Sequence, residues 1–467
     1  MKAIFKREFI SLVADGRFWI ACCLFTLLVG LSTAISLKND RAMEHLRGGA
    51  QHDLRHEWVS QTAKDPHSAA HFGTYQVKPG TSLSWFDPGL DPFLGTVNFL
   101  EAHVRSEFML RPARDSTSAR HLGYLSPAFL LQVIAPLLII LFCFGSFASD
   151  RESGTLRLTL ASGVHPAALV GGKIVGGLAA VFALVLPSLG VSGIMMMRVS
   201  EEIDLARLGL LLLGYGFYFA AIASITLWVS SRVLKSQSAL AIMISFWIGM
   251  TFVVPRTISD MAAAQHPLPS KAAFAQKIAE ETRQGIDGHD PQDARREELL
   301  ERTLREYGVQ RIEELPVNFD AIALQASEDY TSELYQREFD RVADQLEAQA
   351  QIVRTTAVLA PFLAIRNWSM AVSESDWAHH RRYAQAVEKY RQELVRRLNT
   401  DMIQNSRTGD FGYVVQQDFW ESIPPMTYEG PSVRASIEDV ESQLGLLAAW
   451  ALLGIVGCLR ASARLRP

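Results

Sequence analysis

Six long apolar runs, almost free of charged side chains, constrain this chain more than any other feature of its sequence. An α-helix rises about 1.5 Å per residue, so about twenty apolar residues cross the roughly 30 Å hydrocarbon core of a bilayer. The sequence therefore predicts transmembrane helices over residues 18–37, 126–148, 170–197, 208–229, 236–254 and 442–459. The last of these runs only just meets the length criterion.

The start of the chain, residues 1–17, predicts a short amphipathic helix. Ile4, Phe5, Phe9 and Leu12 lie on roughly one helical face among basic residues, a pattern typical of helices lying on an anionic inner leaflet. A cleaved signal peptide is the competing interpretation of the basic start and the apolar run behind it. That run is longer than a signal core of about 7–15 residues, so we interpret it as an uncleaved first span.

Two long polar segments separate the apolar runs. Residues 38–125 are rich in Gly, Pro and His, whereas residues 255–441 carry acidic and basic residues three or four apart, as on exposed helix faces. Within the second segment, residues 285–290 (GIDGHD) predict a loop. The pattern predicts an all-α polytopic membrane protein of six spans with a mainly helical polar domain.

Basic residues near the span ends predict the orientation. Twelve Lys and Arg fall on the side of residues 1–17, the connector 149–169 with the adjoining Lys173, the turn 230–235 and the tail 460–467, against two in the short loop 198–207 of the other side. Both termini and the connector are therefore predicted to be cytoplasmic. The segments 38–125 and 255–441 are predicted to be extracytoplasmic.

Composition excludes some partners and bonds. A net charge of −4 gives no support for a nucleic-acid partner. All four cysteines lie inside apolar runs, which argues against a disulfide framework even in an oxidising compartment.

The connector between the second and third runs is the candidate contact with a soluble partner. The second run ends abruptly at Asp150-Arg151-Glu152, and polar residues then alternate with leucines up to Leu160. Polar residues would face the partner and leucines the membrane boundary. An ordinary cytoplasmic loop is the alternative.

Residues 150–158 (DRESGTLRL) resemble a signature of ABC-2 type permeases, an acidic residue followed after two or three residues by Gly-Thr-Leu. Residues 361–399 resemble a subgroup with a large periplasmic helical domain of unknown function between spans five and six. The resemblance implies the ABC-2, type V exporter-like topology. It further implies a coupling helix that docks on the ATP-binding subunit, formed by Asp150, Arg151, Glu152, Gly154, Thr155, Leu156 and Arg157.

No nucleotide site is visible in the sequence. The nearest imitation of a P-loop, at Gly172-Lys173, has Ala167 for the first glycine and Ile174 for the Ser or Thr. We therefore expect a permease subunit without its own ATPase site and without a bound cofactor. The resemblance implies ATP and Mg²⁺ on a separate ATP-binding subunit, and a second permease chain, identical or related.

Small residues in the third run predict close helix packing. Gly172, Gly176 and Gly177 let another helix approach, and Pro187 is expected to bend the span. Either a mobile helix that transmits motion from the connector or static close packing fits this pattern.

Seven of the twelve histidines lie in the first polar segment: His45, His52, His56, His67, His71, His103 and His121. His52 and His56 have the i,i+4 spacing of metal ligands on a helix and are the metal candidates. For the pair His67 and His71, nearby prolines and Gly73 argue against a long helix. No HExxH pattern occurs, so we interpret the histidines as surface residues and predict no metal site.

Residues 355–365 (TTAVLAPFLAI) form an apolar run too short to span, which fits a re-entrant or interfacial hairpin or a core helix of the outer domain. Asp376, His379 and His380 follow. A helix start with Ser375 or Asp376 as N-cap explains them better than a hydrolase site, for which no nucleophile is evident.

The sequence thus favours an ABC exporter permease embedded in the lipid bilayer. One alternative is a mechanotransmitting subunit that works on a periplasmic partner without moving cargo. A secondary transporter is the second alternative, and it predicts ionisable residues in midspan, which the six apolar runs lack. A membrane-anchored enzyme lacks a catalytic constellation.

Overall fold

The computed structural model describes residues 1–111, 125–199, 204–410 and 412–463. Within these residues six helices are long and apolar enough to cross a membrane: Gly16–Val59, Pro127–Glu152, Pro166–Met197, Leu205–Arg232, Ser236–Gln265 and Val433–Ser462. The described strands form one two-stranded sheet. The predicted all-α polytopic fold with a further helical domain is confirmed. His121, Arg464 and Arg466 lie outside the described residues.

The bundle and connector consist of α1 (Lys2–Val13), α2 (Gly16–Val59), α5 (Pro127–Phe129), α6 (Ala135–Cys143), α7 (Ala148–Glu152), α8 (Thr155–Ala161), α9 (Pro166–Met197), α10 (Leu205–Arg232), α11 (Ser236–Ile248), α12 (Val254–Gln265) and α20 (Glu441–Ser462). The other elements are α3 (Pro66–Phe72), β1 (Thr74–Val77), α4 (Asp91–Leu94), β2 (Val97–Leu100), α13 (Lys271–Thr282), α14 (Ala294–Tyr307), α15 (Phe319–Thr356), α16 (Pro361–Val372), α17 (Trp377–Asn405), α18 (Gln417–Ser422) and α19 (Val433–Ile437).

The helix of the first span continues well beyond the predicted end of the span at residue 37. α2 has 44 residues, which corresponds to about 66 Å. Its first half packs Phe25 and Val29 in the core of the bundle. Near its far end the Arg55 guanidinium donates to the carbonyl oxygen of Ile423 at 2.7 Å. The helix therefore leaves the bundle and ends against the second polar segment.

The fifth span also extends into the polar region. α11 passes through a π-helical turn, Gly249–Val253, directly into α12, which ends at Gln265. Pro255 follows the π turn and has no N–H to donate to the preceding turn, so a local change of hydrogen bonding is expected there. Both the first and fifth helices thus connect the two regions without a break.

The two polar segments pack on each other in a single region, called the polar domain (residues 38–111 and 266–432). An antiparallel bridge joins Lys64 to Val415, with the Val415 N–H 3.0 Å from the Lys64 carbonyl oxygen. Strands β1 and β2 pair in antiparallel register from Thr74 opposite Leu100 to Val77 opposite Val97. Since the segments enter the chain between different spans, their packing puts both at the same end of the bundle.

A buried arginine holds the polar domain together. The Arg391 side chain is 1% exposed and forms ion pairs with Glu328 at 2.6 Å and Glu388 at 2.9 Å. It also donates to the carbonyl oxygen of Glu101 at 3.0 Å, which joins the second polar segment to the first. Paired and fully hydrogen-bonded, such a charge can be accommodated away from water.

The apolar run at residues 355–365 enters α16, which shares its core with the spans. Trp368 donates its indole N–H to the Leu210 carbonyl oxygen at 3.0 Å. A Cβ at Gly214 would lie 2.4 Å from this indole, so the fourth span needs glycine there. The run therefore ends α15, turns at Ala357–Leu359 and begins α16, which packs at the junction of bundle and polar domain. Asp376 caps α17 by accepting the His379 N–H, which confirms the predicted helix start.

Candidate functional site

The connector consists of two short helices separated by glycine turns. α7 ends at Glu152, and Gly154, with φ of +74°, turns the chain into α8. Gly163, with φ of +86°, ends α8 before the third span begins at Pro166. Residues with a Cβ rarely adopt these left-handed conformations. The backbone conformation at Gly154 therefore explains why the Gly-Thr-Leu signature begins with glycine.

The three charged residues after the second span contact three different spans. Asp150 Oδ2 lies 2.8 Å from Lys173 Nζ on the third span. Arg151 donates to the carbonyl oxygens of Ser231 (3.0 Å) and Val233 at the end of the fourth. Glu152 accepts the backbone N–H (3.1 Å) and hydroxyl (2.8 Å) of Ser236 at the start of the fifth. The triplet therefore attaches the connector to the bundle.

Lys173 is the centre of a buried ionic network. Its side chain is 3% exposed, and its Nζ atom lies 2.8 Å from Glu8 Oε2, 2.8 Å from Asp150 Oδ2 and 2.6 Å from the Ser146 carbonyl oxygen. The Glu8 carboxylate also accepts from the Ser146 hydroxyl. Two carboxylates thus surround one ammonium group where the N-terminal helix, the connector and the third span meet.

From the sequence, Lys173 was counted as an orientation charge and as an imitation of a P-loop lysine, and Glu8 was not singled out. The signal that could have found them is a charged residue inside an otherwise apolar helix, which needs a partner of opposite charge. Lys173 lies near the connector end of the third span rather than at its middle. Its position fits an anchor better than the midspan site of a secondary transporter.

The predicted packing glycines of the third span face two different helices. A Cβ at Gly172 would lie 2.7 Å from Ile4 Cβ, and one at Gly176 would lie 2.8 Å from Glu8 Cβ. Gly177 faces Leu227 of the fourth span, 3.2 Å from its Cδ1 atom. The N-terminal helix is therefore packed against the third span, which continues through Pro187 to Met197.

The structure divides the predicted docking residues by exposure. Leu156 is buried in a cluster with Leu160, Leu169 and Ile4. The Thr155 hydroxyl contacts the Ser153 hydroxyl at 2.9 Å. Arg157 is exposed, and the neighbouring Leu158, absent from the predicted set, is 72% exposed. The outward face of α8 therefore presents Arg157 and Leu158, while the charged triplet bonds to its own chain.

The metal candidates His52 and His56 lie on the exposed surface of α2. His52 Nδ1 is 3.4 Å from Asp53 Oδ1, and neither histidine belongs to a group of metal-ligating side chains within the described residues. No long helix forms at His67 and His71, as the nearby prolines and Gly73 predict, because the helix there has only seven residues. Both lie on α3, where Pro66 occupies the first turn and its missing N–H leaves no intrahelical bond unmade.

Comparison with protein-family models identifies the family of the chain. The family model of ABC-2 family transporter proteins matches residues 2–296. The chain belongs to this ABC-2 family. A second model, a domain of unknown function (DUF3526), matches residues 271–429. A search of curated proteins finds no match.

The ABC-2 match covers α1, the first five spans and the connector, and the second match lies in the polar domain between spans five and six. The predicted family and subgroup are both confirmed. This ABC-2 protein is thus a multi-pass membrane permease subunit of an ABC transporter. Members of the family typically lack their own catalytic site and work with an ATP-binding subunit.

Proposed function

We propose that this chain is the permease subunit of an exporter in the bacterial inner membrane, driven by ATP hydrolysed on a separate subunit. The observation that carries the proposal is the triplet Asp150-Arg151-Glu152, whose side chains bond to the third, fourth and fifth spans. A displacement of this connector would act on three spans at once. An ordinary surface loop would not need such contacts.

The ATP-binding subunit would dock on the outward face of the connector. Arg157 and Leu158 are exposed there, while Leu156 and Leu160 hold α8 against the N-terminal helix. An exposed leucine beside a cation is a small apolar contact with a polar rim, as protein interfaces commonly have. ATP and Mg²⁺ would be bound by that subunit, and this chain would supply the surface that moves.

Two helices connect the connector to the polar domain. The fifth helix begins at Ser236, bonded to Glu152, and ends at Gln265, directly before His266, whose carbonyl oxygen accepts from Gln349 at 2.6 Å. The fourth helix ends at Arg232, next to Val233, whose carbonyl oxygen accepts from Arg151. Motion of the connector would therefore reach the polar domain through continuous hydrogen-bonded helices.

At the polar-domain end the fourth helix is also anchored. Arg207, 4% exposed, forms an ion pair with Glu374 at 2.8 Å and donates to the carbonyl oxygen of Val372 at 3.2 Å and the hydroxyl of Ser436 at 3.0 Å. Removing such a buried cation from its partners is costly. The fourth helix and the polar domain would consequently move together.

The excess of Lys and Arg near the connector and the termini supports a cytoplasmic location for these parts and an extracytoplasmic one for the polar domain. A second permease chain, identical or related, would complete the pathway. In the most apolar stretch of the fifth span, and likewise of the sixth, only 28% of the residues are buried within one chain. This leaves apolar surface for lipid and for a second chain.

Mechanotransmission is the second candidate function. The helices that continue from the connector into the polar domain favour it, because they could work on a periplasmic partner without cargo crossing the membrane. Export predicts that cargo stimulates ATP hydrolysis and accumulates in inverted vesicles. Mechanotransmission predicts that only a periplasmic protein stimulates it.

The docking surface is tested by co-purification of the ATP-binding subunit from cells that express both chains. Arg157→Glu with Leu158→Asp is expected to reduce its recovery at least about tenfold, since loss of a central contact costs about 2 kcal/mol or more. Arg305→Glu, whose side chain is 72% exposed in the polar domain, is the matched control and should change nothing. Full recovery with the double variant would refute docking on this face.

A further inference from the structure

Four histidines that are far apart in the sequence meet in the polar domain. His67 and His71 lie on α3, His103 follows β2, and His289 lies in the loop between α13 and α14. One ring nitrogen from each lies within 4.8 Å of the other three. The group joins the first polar segment to the second, and neither the connector nor the docking proposal uses it.

The arrangement of the four rings is close to tetrahedral. Their six centroid separations run only from 4.7 to 5.4 Å. A square arrangement would have two diagonals about 1.4 times its edges, as expected for square-planar Cu²⁺ or Ni²⁺ sites. Three of the six Nε2–Nε2 distances are short, at 3.1 Å between His71 and His67, 3.4 Å between His67 and His289, and 3.3 Å between His289 and His103. Bonds of about 2.0–2.1 Å from imidazole nitrogen to zinc give tetrahedral edges of about 3.3–3.4 Å.

The His67 ring is held by a hydrogen-bonding group behind it. Asn399 donates its amide to Gln325 at 3.0 Å, so its Oδ1 atom, 3.0 Å from His67 Nδ1, is the acceptor. This leaves the lone pair of His67 on Nε2, which faces the other rings. Such an outer partner that fixes the tautomer is the usual companion of a metal-binding histidine.

The His103 ring has a carboxylate beside it. Glu328 is 2% exposed, and its Oε2 atom accepts the His103 backbone N–H at 2.6 Å and lies 3.2 Å from His103 Nδ1. Arg391 pairs with the other oxygen of the same carboxylate at 2.6 Å. A carboxylate, a histidine and a metal ion in line are a common combination in zinc sites.

The backbone around the cluster includes one residue with a positive φ and two glycines in close contact with α15. His103 has φ of +61°, a conformation that a residue with a Cβ rarely adopts. A Cβ at Gly288 would lie 2.8 Å from the Ala323 carbonyl oxygen, and one at Gly285 would lie 2.0 Å from the Tyr330 ring. Glycine at both positions lets the loop approach α15 closely enough to bring His289 to the other three rings.

We propose that His67, His71, His103 and His289 together bind one transition-metal ion of tetrahedral preference, Zn²⁺ in the first instance. Four imidazoles are ligands of borderline softness, and the tetrahedral arrangement favours Zn²⁺ over the square-planar ions. Because the ligands come from both polar segments, the bound ion joins the two halves of the polar domain. This site replaces the expectation that the histidines are surface residues.

Burial supplies the protonation state that such a site requires. It lowers the pKa of His67 and of His103 to about 4, and it also lowers the pKa of His289. Metal ligation requires neutral imidazole, so these groups are ready to bind at neutral pH without first losing a proton.

The test is metal binding to the full-length protein, purified in detergent with an affinity tag that contains no histidine. After chelator treatment and removal of the chelator, the protein is expected to bind one Zn²⁺ per chain and to show a higher melting temperature with Zn²⁺. Co²⁺ in place of Zn²⁺ reports the geometry, because a tetrahedral site gives intense visible absorption and an octahedral one does not.

His71→Ala and His289→Ala remove exposed ligands and are expected to fold. Each should lower Zn²⁺ affinity by more than the about 10- to 100-fold that loss of an outer partner costs, and should abolish the visible Co²⁺ spectrum. His52→Ala with His56→Ala is the matched control and should leave both readouts unchanged. Equal binding by wild type and the His71 and His289 variants, an octahedral Co²⁺ spectrum, or no binding would each overturn the proposal.

Discussion

Lys173 shows how a single charge can determine the packing of several elements. Its ammonium group is shared by Glu8 of the N-terminal helix and Asp150 of the connector, each 2.8 Å away. Phe147 lies on another side, with its ring centroid 5.3 Å from Nζ. Without the lysine, two carboxylates would face each other in a nearly dry site, where like charges repel strongly.

Lys173→Met should therefore destabilise the protein by about 3–5 kcal/mol, because it leaves the buried Glu8 carboxylate without its counter-charge. Thermal unfolding of the purified permease, followed by tryptophan fluorescence, measures the loss. Lys6→Met, an exposed lysine on the same helix as Glu8, is the control and should have little effect. Adding Glu8→Gln to Lys173→Met should recover part of the loss, and an unchanged melting temperature for Lys173→Met would contradict the network.

Gly172 tests the contact between the N-terminal helix and the third span. A side chain at this position would overlap Ile4, so Gly172→Leu should lower stability by about 1–3 kcal/mol, the usual cost of overpacking. Gly190 lies in the same helix with no atom within 4 Å of its would-be Cβ, so Gly190→Leu is the control. Equal melting temperatures for both variants would show that the N-terminal helix is not held at Gly172.

At the scale of elements, the fifth helix is a continuous connection from the connector to the polar domain. It begins at Ser236, which Glu152 caps through its carboxylate, and it continues through a π turn to Gln265. The N-terminal amides of a helix lack intrahelical acceptors, so a carboxylate there both pairs an N–H group and faces the positive end of the helix dipole. The contact joins a short helix to a long one at a defined point.

Glu152→Ala should reduce the stimulation of ATP hydrolysis by the assembled complex, while costing only about 0.5–2 kcal/mol of stability, the range for a lost cap. The measurement compares ATPase rates of the reconstituted complex with those of the ATP-binding subunit alone. Glu438→Ala, an exposed acidic residue near the start of the sixth span, is the control. Wild-type stimulation by Glu152→Ala would exclude this contact from coupling.

At the scale of the whole molecule, the two polar segments form one domain although more than a hundred residues and four spans separate them in the chain. The bridge between Lys64 and Val415 and the hydrogen bond from Arg391 to Glu101 cross between the segments. The connector, the N-terminal helix and the described end of the last helix, at Ser462, belong to the opposite end of the bundle. The molecule thus has one small end, which contains the connector, and one large polar end.

A disulfide between Lys64→Cys and Val415→Cys tests this arrangement. Antiparallel partners have Cα atoms about 4.5–5.5 Å apart, within the range of about 4.4–6.8 Å that disulfides span. All four native cysteines lie in the bundle helices and can be replaced by serine first. Oxidation should then shift the protein's mobility on a non-reducing gel, reversibly with reductant.

The control for this experiment is Lys64→Cys with Arg157→Cys, whose positions belong to opposite ends of the bundle and should not cross-link. In intact cells a membrane-impermeant thiol reagent should label Cys at position 414, where the Val414 side chain is 44% exposed, but not Cys at position 157. Labelling of position 157 from outside would reverse the proposed orientation.

The sequence by itself determined the number of spans, the family and the position of the connector, because these depend on local composition. An apolar run long enough to cross the bilayer and a short signature such as Gly-Thr-Leu are visible without knowledge of the fold. The Gly-Thr-Leu signature includes Gly154, and the positive φ of this residue explains why glycine is favoured there. The N-cap role of Asp376 was also predictable, because N-caps depend on the local sequence.

Only the tertiary structure decided which distant side chains meet. Glu8, Asp150 and Lys173 form one network, and His67, His71, His103 and His289 form one cluster, although no periodicity links their positions. The pair at His52 and His56 has ideal spacing but lies on an exposed helix face, whereas a two-turn helix behind Pro66 carries the pair that converges with other ligands. Long-range contacts depend on how helices pack, and that information is spread over the whole chain rather than held in any local pattern.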